Sequence, residues 1–405
     1  MAGVRLFFMQ SSGGLTDAHV FQGKDAILSG PAGGIVGMAR TAGLAGHGDV
    51  IGFDMGGTST DVSHFRGGLQ GEFEREFETQ VAGVRMRAPM MSIHTVAAGG
   101  GSILQFDGAR FRVGPQSAGA NPGPASYRRG GPLAVTDANV MVGKVQPRYF
   151  PKVFGPQANE ALDADVVRAK FAELAERSGR QAEDVAEGFI HIAVQQMANA
   201  IKKISVARGY DVTRYTLQCF GGAGGQHACL VADALGMTKV FVHPLAGVLS
   251  AYGMGLADQN VIREQAVELK LAADALPQIA ERLDALAEVA QAELTRQEVS
   301  TGSITTHRRV HVRYEGSDSA LIVPFVDNIA AITKGFEAAY QQRFAFLMHG
   351  KGLVVEAVSV EAVVAGDAPA EPHYPTHPVR EVPRREMVKV YSSGAWHEAA
   401  LVVRE

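Results

Sequence analysis

Hydrophobic residues along this chain follow two spacings, and each spacing predicts a different kind of element. Short apolar runs at 4–9, 50–53 and 215–220 predict strands, and each run leads towards a turn rich in glycine or polar residues. Between 185 and 204, apolar residues recur every three or four positions, which predicts a long buried helix. Strands that alternate with helices in this way indicate an α/β fold.

The part of the chain beyond about residue 260 has a different pattern. The predicted elements there are helices at about 273–297 and 327–347, and alternating strands at 308–315, 320–325 and 353–364. A proline-rich connector at 372–383 leads to a final β segment. We therefore expect a C-terminal α+β appendage.

Composition limits the classes of function. The 405 residues are enough for two or three domains, and 46% hydrophobic with 20% charged residues is typical of a soluble globular protein. The net charge is −4 and no dense basic block occurs, so we expect neither nucleic acid nor a membrane as a main partner. Without a long apolar stretch or a secretory leader pattern, the sequence predicts a cytoplasmic protein.

The two cysteines, Cys219 and Cys229, support neither a disulfide framework nor a zinc cluster. Cys219 lies in a predicted strand and Cys229 in a predicted helix. We interpret both as small buried hydrophobic residues.

Residues 53–66 carry the strongest chemical signal. A predicted strand runs into Asp54, the turn Gly56-Gly57-Thr58 follows, and a second acid, Asp61, precedes another β-prone run. Glycines without a Cβ allow backbone N–H groups to approach an anionic oxygen closely. The hydroxyl of Thr58 adds a donor, and Asp54 is suited to hold a divalent cation directly or through water. The segment therefore predicts a phosphate-and-metal turn.

A second glycine cluster, Gly221-Gly222-Ala223-Gly224-Gly225, lies between a predicted strand and a predicted helix. It does not match a dinucleotide-binding fingerprint, because His227 stands where the last glycine is needed and no acidic residue ends the next strand. The cluster is either a flat nucleotide platform at a helix N-terminus or a site of close structural packing.

Other polar residues are more ambiguous. The run Thr136-Asp137-Ala138-Asn139 suits contact with phosphate, metal or a small polar substrate, but a capped helix start has the same composition. Ser102 and Ser117 lie in incomplete nucleophile-elbow patterns, and we interpret them as turn residues. His94 is either a ligand or base, or a structural residue.

Six motifs occur in the same order as in one known family. They are SGPAGG (29–34), FDMGGTSTDVS (53–63), HTVAAGGGS (94–102), VGPQSAGANPGPASY (113–127), TDAN (136–139) and CFGGAGGQHA (219–228). With them, the chain resembles the hydantoinase A/5-oxoprolinase family of ATP-dependent ring-opening amidohydrolases. Two further segments, 247–258 and 312–323, are more similar to the 5-oxoprolinase branch than to the hydantoinase or acetone carboxylase branches.

The resemblance implies a fold and a set of ligands. The family's ATP-binding part resembles the two-lobed actin/hexokinase (ribonuclease H-like) superfamily, so we expect domains at 1–48 (remnant of a first lobe and a crossover helix), 49–260 (ATP-binding lobe) and 261–405. The implied cofactors are ATP and Mg²⁺, with a monovalent cation as a further candidate. The implied site residues are Asp54, Thr58 and Asp137 as catalytic groups, Asp54 and Asp61 as metal ligands, Gly56, Gly57 and Thr58 as phosphate loop, and Gly221, Gly222, Gly224 and Gly225 as adenosine loop.

The implied reaction is the ATP-dependent opening of a cyclic amide, most similar to the conversion of 5-oxo-L-proline to L-glutamate. The alternatives are a hydantoinase or an acetone/acetophenone carboxylase subunit of the same family, or a non-catalytic nucleotide-binding module.

The family pattern includes a preceding lobe with a second D-x-G-G-T loop, whereas this chain has one copy, at 54–58. We therefore expect a partial A-type component, truncated at both ends and inactive alone. A hydantoinase B-type partner and an oligomeric assembly would complete the system.

Overall fold

A computed structural model describes residues 4–81, 83–297, 303–366 and 384–402. Within these ranges the helices are α1 (Ser29–Leu44), α2 (Val135–Met141), α3 (Ala164–Ser178), α4 (Ala182–Ile204), α5 (Ala228–Leu235), α6 (Leu249–Gly255), α7 (Ala275–Arg296) and α8 (Ile329–Phe344). The strands are β1 (Phe7–Met9), β2 (Leu15–Asp17), β3 (Asp49–Met55), β4 (Thr60–Arg66), β5 (Arg75–Val81), β6 (Val84–Met91), β7 (Ile93–Val96), β8 (Ser102–Phe106), β9 (Phe111–Ser117), β10 (Thr216–Phe220), β11 (Lys239–Phe241), β12 (Gln259–Lys270), β13 (Thr305–Tyr314), β14 (Leu321–Pro324), β15 (Leu353–Val364), β16 (Arg384–Ser392) and β17 (Ala395–Val402).

A five-stranded sheet with the order β11-β10-β3-β4-β7 forms the centre of the first part. The strands β3, β4 and β7 are antiparallel neighbours, whereas β10 and β11 run parallel to β3. Successive side chains of a strand point to opposite faces. Ile51, Phe53 and Met55 share a core with α4, while Val50 packs with α1, so Asp54 lies on the α1 face.

Helices α1 and α6 cross at glycines on this second face. A Cβ added to Gly33 would lie 2.6 Å from the carbonyl oxygen of Ser250, and one added to Gly253 would lie 2.0 Å from that of Gly33. No real side chain tolerates such distances, so the two backbones touch only because these positions are glycine. The close crossing brings Ser250 up to the end of β3.

A six-stranded sheet with the order β1-β2-β12-β15-β13-β14 forms the second part. Strands β12, β15 and β13 pair in antiparallel register over most of their length, and Leu15 of β2 joins at Gln259. The sheet shares its apolar core with α7 and α8, whose Ile279, Leu283 and Phe336 are fully buried. The sequence pattern did not predict β12, because most of its residues after Ile262 are polar or charged.

A buried ionic cluster joins the second sheet to the β5–β6 hairpin. Glu361 of β15 accepts two hydrogen bonds from Arg75, at 2.7 and 2.8 Å, and one from Arg309 at 3.1 Å. The amide of Asn260 donates to the same carboxylate at 2.9 Å. Every acceptor oxygen of Glu361 is therefore occupied by protein donors.

The β16–β17 hairpin packs on the first part of the chain. The N–H of Tyr391 donates to the carbonyl of Val142 at 2.8 Å, and its hydroxyl donates to Asp184 at 2.5 Å. Tyr391 is 5% exposed and belongs to the same apolar core as α4. These contacts and the pairing of β2 with β12 cross the predicted boundaries at 48 and 260. The division of the chain into three domains at those boundaries stays a prediction.

The structure confirms the predicted long helix at 185–204 and the helices and strands beyond 273 up to 364. The predicted connector at 372–383 lies outside the described residues. The prediction for Cys229 was wrong: Cys219 is buried, but Cys229 is exposed, because it lies on the outward face of α5. Among the described residues, no helix is long and apolar enough to cross a bilayer.

Candidate functional site

The turn between β3 and β4 presents backbone donors at an exposed tip. The N–H of Gly56 donates to the carbonyl of Ser59 at 3.0 Å and closes the turn. Gly57 and Thr58 are exposed, and their N–H groups have no hydrogen-bond partner among the described residues. An anionic oxygen placed at this tip would find those donors together with the hydroxyl of Thr58.

A second glycine run, Gly99-Gly100-Gly101, packs against this turn and is hydrogen-bonded to it. The N–H of Gly100 donates to the carbonyl of Gly56 at 3.1 Å, and that of Gly101 donates to the carbonyl of Gly57 at 2.6 Å. A Cβ on Gly99 would lie 2.5 Å from the carbonyl carbon of Thr58, so only glycine fits there. The carbonyls of the turn are thus held inwards, which leaves the N–H groups for a ligand.

Two carboxylates face each other beside the turn. Asp54 and Asp61 are directly opposite in the β3–β4 ladder, so their side chains lie on the same face. Burial, and then the charge of Asp61, raises the pKa of Asp54 to about 6, although the Ser250 hydroxyl donates to it at 3.3 Å and opposes the shift. Burial also raises the pKa of Asp61, which accepts a 2.6 Å hydrogen bond from Thr95.

This pair suits a divalent cation. Neither carboxylate has a basic partner among the described residues, so the two repel each other, and a cation between them would remove that penalty. Mg²⁺ is commonly held by one or two carboxylates together with phosphate oxygens and water. No group of three or more His, Cys, Asp or Glu side chains in the described ranges could hold a metal by itself, so the remaining ligands would come from phosphate and water.

The second predicted glycine loop lies directly against the first. Strand β10 runs parallel to β3 and places Phe220 opposite Asp54, so the chain leaves the sheet next to that carboxylate. Gly221 has φ +81°, and a Cβ there would lie 2.4 Å from Oδ1 of Asp54. The N–H of Ala223 donates to the carbonyl of Met55 at 2.9 Å.

The exposed side of this loop is flat. Gly222 and Gly225 are exposed, and no atom lies within 4 Å of where their Cβ atoms would be. Gly224 faces inwards, where a Cβ would lie 2.7 Å from Sγ of Cys219. The structure therefore brings together the two glycine loops predicted separately from the sequence.

Asp137, predicted as a catalytic group, does not reach this surface. It is fully buried, and its carboxylate accepts hydrogen bonds from the backbone N–H groups of Ala125, Ser126 and Ala134 at 2.8 to 2.9 Å. Burial raises its pKa, and these hydrogen bonds oppose the shift. The geometry favours the alternative interpretation, in which Asp137 caps the start of α2, over contact with a substrate.

The other ambiguous residues have structural positions. Ser102 is fully buried and its hydroxyl accepts the N–H of Gly99 at 2.9 Å, while the Ser117 hydroxyl accepts that of Gly119 at 3.1 Å. Both lie at strand ends, Ser102 at the start of β8 and Ser117 at the end of β9, and each hydroxyl holds the adjacent turn, so the structural interpretation fits both. His94 neighbours Thr95 on β7 and so points to the opposite face from the Asp61 carboxylate.

Sequence reasoning missed the residues that hold the carboxylates. Ser250 lies in the family segment 247–258, and Thr95 follows His94, but neither position carries a local pattern that indicates a carboxylate partner. It also missed the buried pair of Asn139 and His227, whose side chains lie 3.1 Å apart. The sequence had singled out His227 only as the residue that breaks a glycine fingerprint.

Comparison with known proteins places the chain in one family. Residues 1–263 match the hydantoinase/oxoprolinase family model. The chain is 39% identical to 5-oxoprolinase 1 of Arabidopsis thaliana over an aligned length of 419 residues. The alignment covers 98% of this chain and 32% of the relative. The chain therefore belongs to the hydantoinase/oxoprolinase family, and it spans about a third of the length of that relative.

Two solved structures are similar in fold. The ATP-dependent caprolactamase of Pseudomonas jessenii superposes with a TM-score of 0.84 and 27% identity, covering 97% of this chain and 58% of that chain. A nucleotide-free acetone carboxylase structure superposes with a TM-score of 0.71 and covers 98% of this chain and 58% of that chain. At 22% identity, the second likeness concerns the fold alone.

Proposed function

We propose that this chain is the ATP-binding part of an ATP-dependent cyclic amide hydrolase that opens 5-oxo-L-proline to L-glutamate. One observation carries the proposal: Asp54 lies at the junction of two glycine loops, with Gly221 packed against its carboxylate and Gly56-Gly57-Thr58 presenting donors beside it. The 39% identity to a 5-oxoprolinase over 98% of this chain supports the choice of substrate class.

We further propose that the first part of the chain is an actin/hexokinase-like, ribonuclease H-like lobe. The support is its sheet, in which three antiparallel strands in succession (β3, β4, β7) are extended by two parallel strands (β10, β11) on the β3 side. In this arrangement the turn after the first strand and the loop after the fourth lie at the same end of the sheet.

In the proposed site, the N–H groups of Gly57 and Thr58 and the Thr58 hydroxyl bind the terminal phosphates. Asp54 and Asp61 hold Mg²⁺, and Ser250 and Thr95 orient the two carboxylates. When bound, Mg²⁺ neutralises negative charge on the phosphoryl oxygens. The exposed glycines Gly222 and Gly225 give the adenosine a surface without side chains.

The chemistry explains why ATP is needed. A lactam carbonyl is a poor electrophile because the amide nitrogen donates electron density to it. Transfer of the γ-phosphoryl group to the carbonyl oxygen releases ADP and makes the carbon electrophilic. Water then adds at that carbon, and the ring C–N bond breaks as the nitrogen takes a proton, which leaves an acyl phosphate. A second water attacks the acyl phosphate, so that phosphate leaves and the free carboxylate forms.

We propose that a hydantoinase B-type component supplies the hydrolytic step and that the two assemble into an oligomer. The family resemblance implies such a partner, and this chain matches 32% of the plant relative's length. A monovalent cation stays a candidate for the assembled enzyme.

Direct binding and turnover assays test the proposal. The chain should bind Mg²⁺–ATP, and with a B-type partner it should release phosphate in response to 5-oxo-L-proline. Asp54→Asn should abolish both signals. Asp233→Asn, an exposed acid-to-amide change on the neighbouring helix α5, is the matched control and should retain both.

The same assay separates the alternatives. Phosphate release with hydantoins, larger lactams or ketones, but not with 5-oxoproline, would move the substrate to another branch of the family. ATP binding without hydrolysis by the assembled pair on any of these compounds would instead indicate a nucleotide-binding module.

A further inference from the structure

Helix α2 contacts one residue next to each glycine loop, although the proposed function gives the helix no role. At its first turn, the N–H and the hydroxyl of Thr136 both donate to the carbonyl of Gly100, at 2.7 and 2.9 Å. One turn later, Nδ2 of Asn139 lies 3.1 Å from Nε2 of His227, which follows the second glycine loop. Residues three apart on a helix lie on neighbouring surface, so one short helix makes both contacts.

The contact at Asn139 has a defined polarity. Its Nδ2 also donates to the carbonyl of Val135 at 3.0 Å, which fixes the amide orientation and makes Nε2 of His227 the acceptor. His227 is fully buried, and burial lowers its pKa to about 3, with a further contribution from Lys144. The imidazole is therefore neutral at ordinary pH, as an acceptor must be.

The contact at Thr136 continues into the phosphate turn. Gly100 accepts from Thr136 through its carbonyl and donates through its N–H to Gly56 at 3.1 Å. A Cβ on Gly100 would lie 2.8 Å from the Thr136 hydroxyl, so the two segments are in close contact. The start of α2 is itself fixed by Asp137, which binds three backbone N–H groups.

We propose that Thr136 and Asn139 are positioning residues that fix the separation between the phosphate turn (56–58) and the adenosine loop (221–225), and so set the affinity for a nucleotide that spans both. This inference rests on the proposed function, since it requires that one ATP contacts both loops. Neither residue needs to touch the nucleotide. Thr136 acts through Gly100, which is hydrogen-bonded to Gly56 of the phosphate turn, and Asn139 acts through His227, which follows the adenosine loop.

The proposal predicts a change in the affinity for ATP without a change in the affinity for the fragments of ATP. Adenosine needs only the second loop, and Mg²⁺–pyrophosphate needs only the first. ATP needs both at the correct distance, because its two ends are covalently joined. Loosening α2 should therefore weaken ATP binding while binding of each fragment stays the same.

The experiment uses the whole chain and three ligands: Mg²⁺–ATP, adenosine and Mg²⁺–pyrophosphate. Thr136→Val keeps the side-chain shape but removes the hydroxyl, and should weaken ATP binding about five- to tenfold, as expected for one lost hydrogen bond. Thr136→Ser restores the hydroxyl and should restore affinity. Asn139→Ala should weaken ATP binding at least as much. Titration calorimetry for ATP and ligand-observed NMR for the fragments provide the dissociation constants.

The outcomes separate the hypotheses. Unchanged ATP affinity in both Thr136→Val and Asn139→Ala, with the unaltered chain binding ATP, would overturn the positioning role alone. Equal weakening for all three ligands would also overturn it, in favour of a local structural role. Absence of ATP binding by the unaltered chain would overturn the proposed function and this inference with it. Because Asn139 is buried and its variant is the more prone to unfolding, the half-buried Thr136 pair keeps the test decisive.

Discussion

Asp54 and Glu361 are both carboxylates that the fold buries, but their surroundings shift the two pKa values in opposite directions. Glu361, 5% exposed, is surrounded by Arg75, Arg309 and Asn260. Burial alone would raise its pKa, but the two arginine charges overcome that effect and lower it to about 2. Asp54 has another carboxylate as its neighbour, and burial with that charge raises its pKa to about 6.

The difference separates a buried charge that the fold neutralises from one that the fold leaves uncompensated, as the proposed metal site requires. The fold supplies Glu361 with its counter-charges, so the ionised form stabilises the folded state. The fold supplies Asp54 with one weak neutral donor and a like charge, so the ionised form is costly until a cation arrives.

Glu361→Gln should destabilise the protein by about 3 kcal/mol, because it leaves two buried guanidinium groups without a counter-charge. Urea unfolding at pH 7 measures the change, and Glu288→Gln, an exposed change on α7, is the control that should have no measurable effect. Since the folded pKa lies below the usual 4.5, the stabilisation is present above pH 4.5 and is lost as pH falls towards 2. A change below 1 kcal/mol would show that the cluster contributes little.

Asp54→Asn should change the free energy of unfolding in the opposite direction. It should stabilise the ligand-free protein by about 2 kcal/mol at pH 7, because it removes a charge that burial penalises. The folded pKa is raised from 3.8 to about 6, so the contribution of Asp54 is most favourable below pH 3.8 and is lost as pH rises through 6. Thermal unfolding between pH 4 and 8 should show this slope in the unaltered chain and not in the variant. A less stable variant at pH 7 would contradict the contrast.

Mg²⁺ should stabilise the unaltered chain by about 1 kcal/mol at roughly ten times its dissociation constant, because it binds the folded Asp54–Asp61 pair and not the unfolded chain. The shift in melting temperature should disappear in Asp54→Asn and persist in Glu361→Gln. Equal shifts in all three proteins would place the binding of Mg²⁺ elsewhere.

Ser250→Ala should have the smallest effect, a loss of about 0.5–1 kcal/mol of binding energy for Mg²⁺, because one neutral hydrogen bond to Asp54 is removed. The pKa of Asp54 should rise further, since this donor opposes the upward shift. NMR titration of the Asp54 carboxyl carbon would report it. An unchanged pKa would mean that the hydroxyl does not orient this carboxylate in solution.

The sequence indicated the two glycine loops because their chemistry is local. A glycine run that follows a strand can be recognised from a few neighbouring residues. Both loops lie where the sequence predicted them, directly after the strands β3 and β10. The long helix α4 was equally visible from its spacing. What the family resemblance added is the expectation that the two loops bind one ligand.

The partners of the carboxylates could not be predicted, because each comes from a distant part of the chain. Ser250 lies 196 positions from Asp54, and Arg75 lies 286 positions from Glu361. Asp137 shows the converse problem, since a helix-capping acid and a catalytic acid have the same local sequence. Only the burial of Asp137 and the three backbone N–H groups that donate to it favour the helix-capping role.

The attachment of Tyr391 to Val142 and Asp184 has a consequence for how the protein is made. A ribosome that has synthesised residues 4–366 has delivered every strand of the five-stranded sheet, yet the place beside α2 and α4 that Tyr391 occupies is still open. Domains generally fold in order of synthesis, from the N-terminus. The part that carries the five-stranded sheet therefore reaches its final packing only after a segment more than 120 residues beyond its own last sheet strand has emerged.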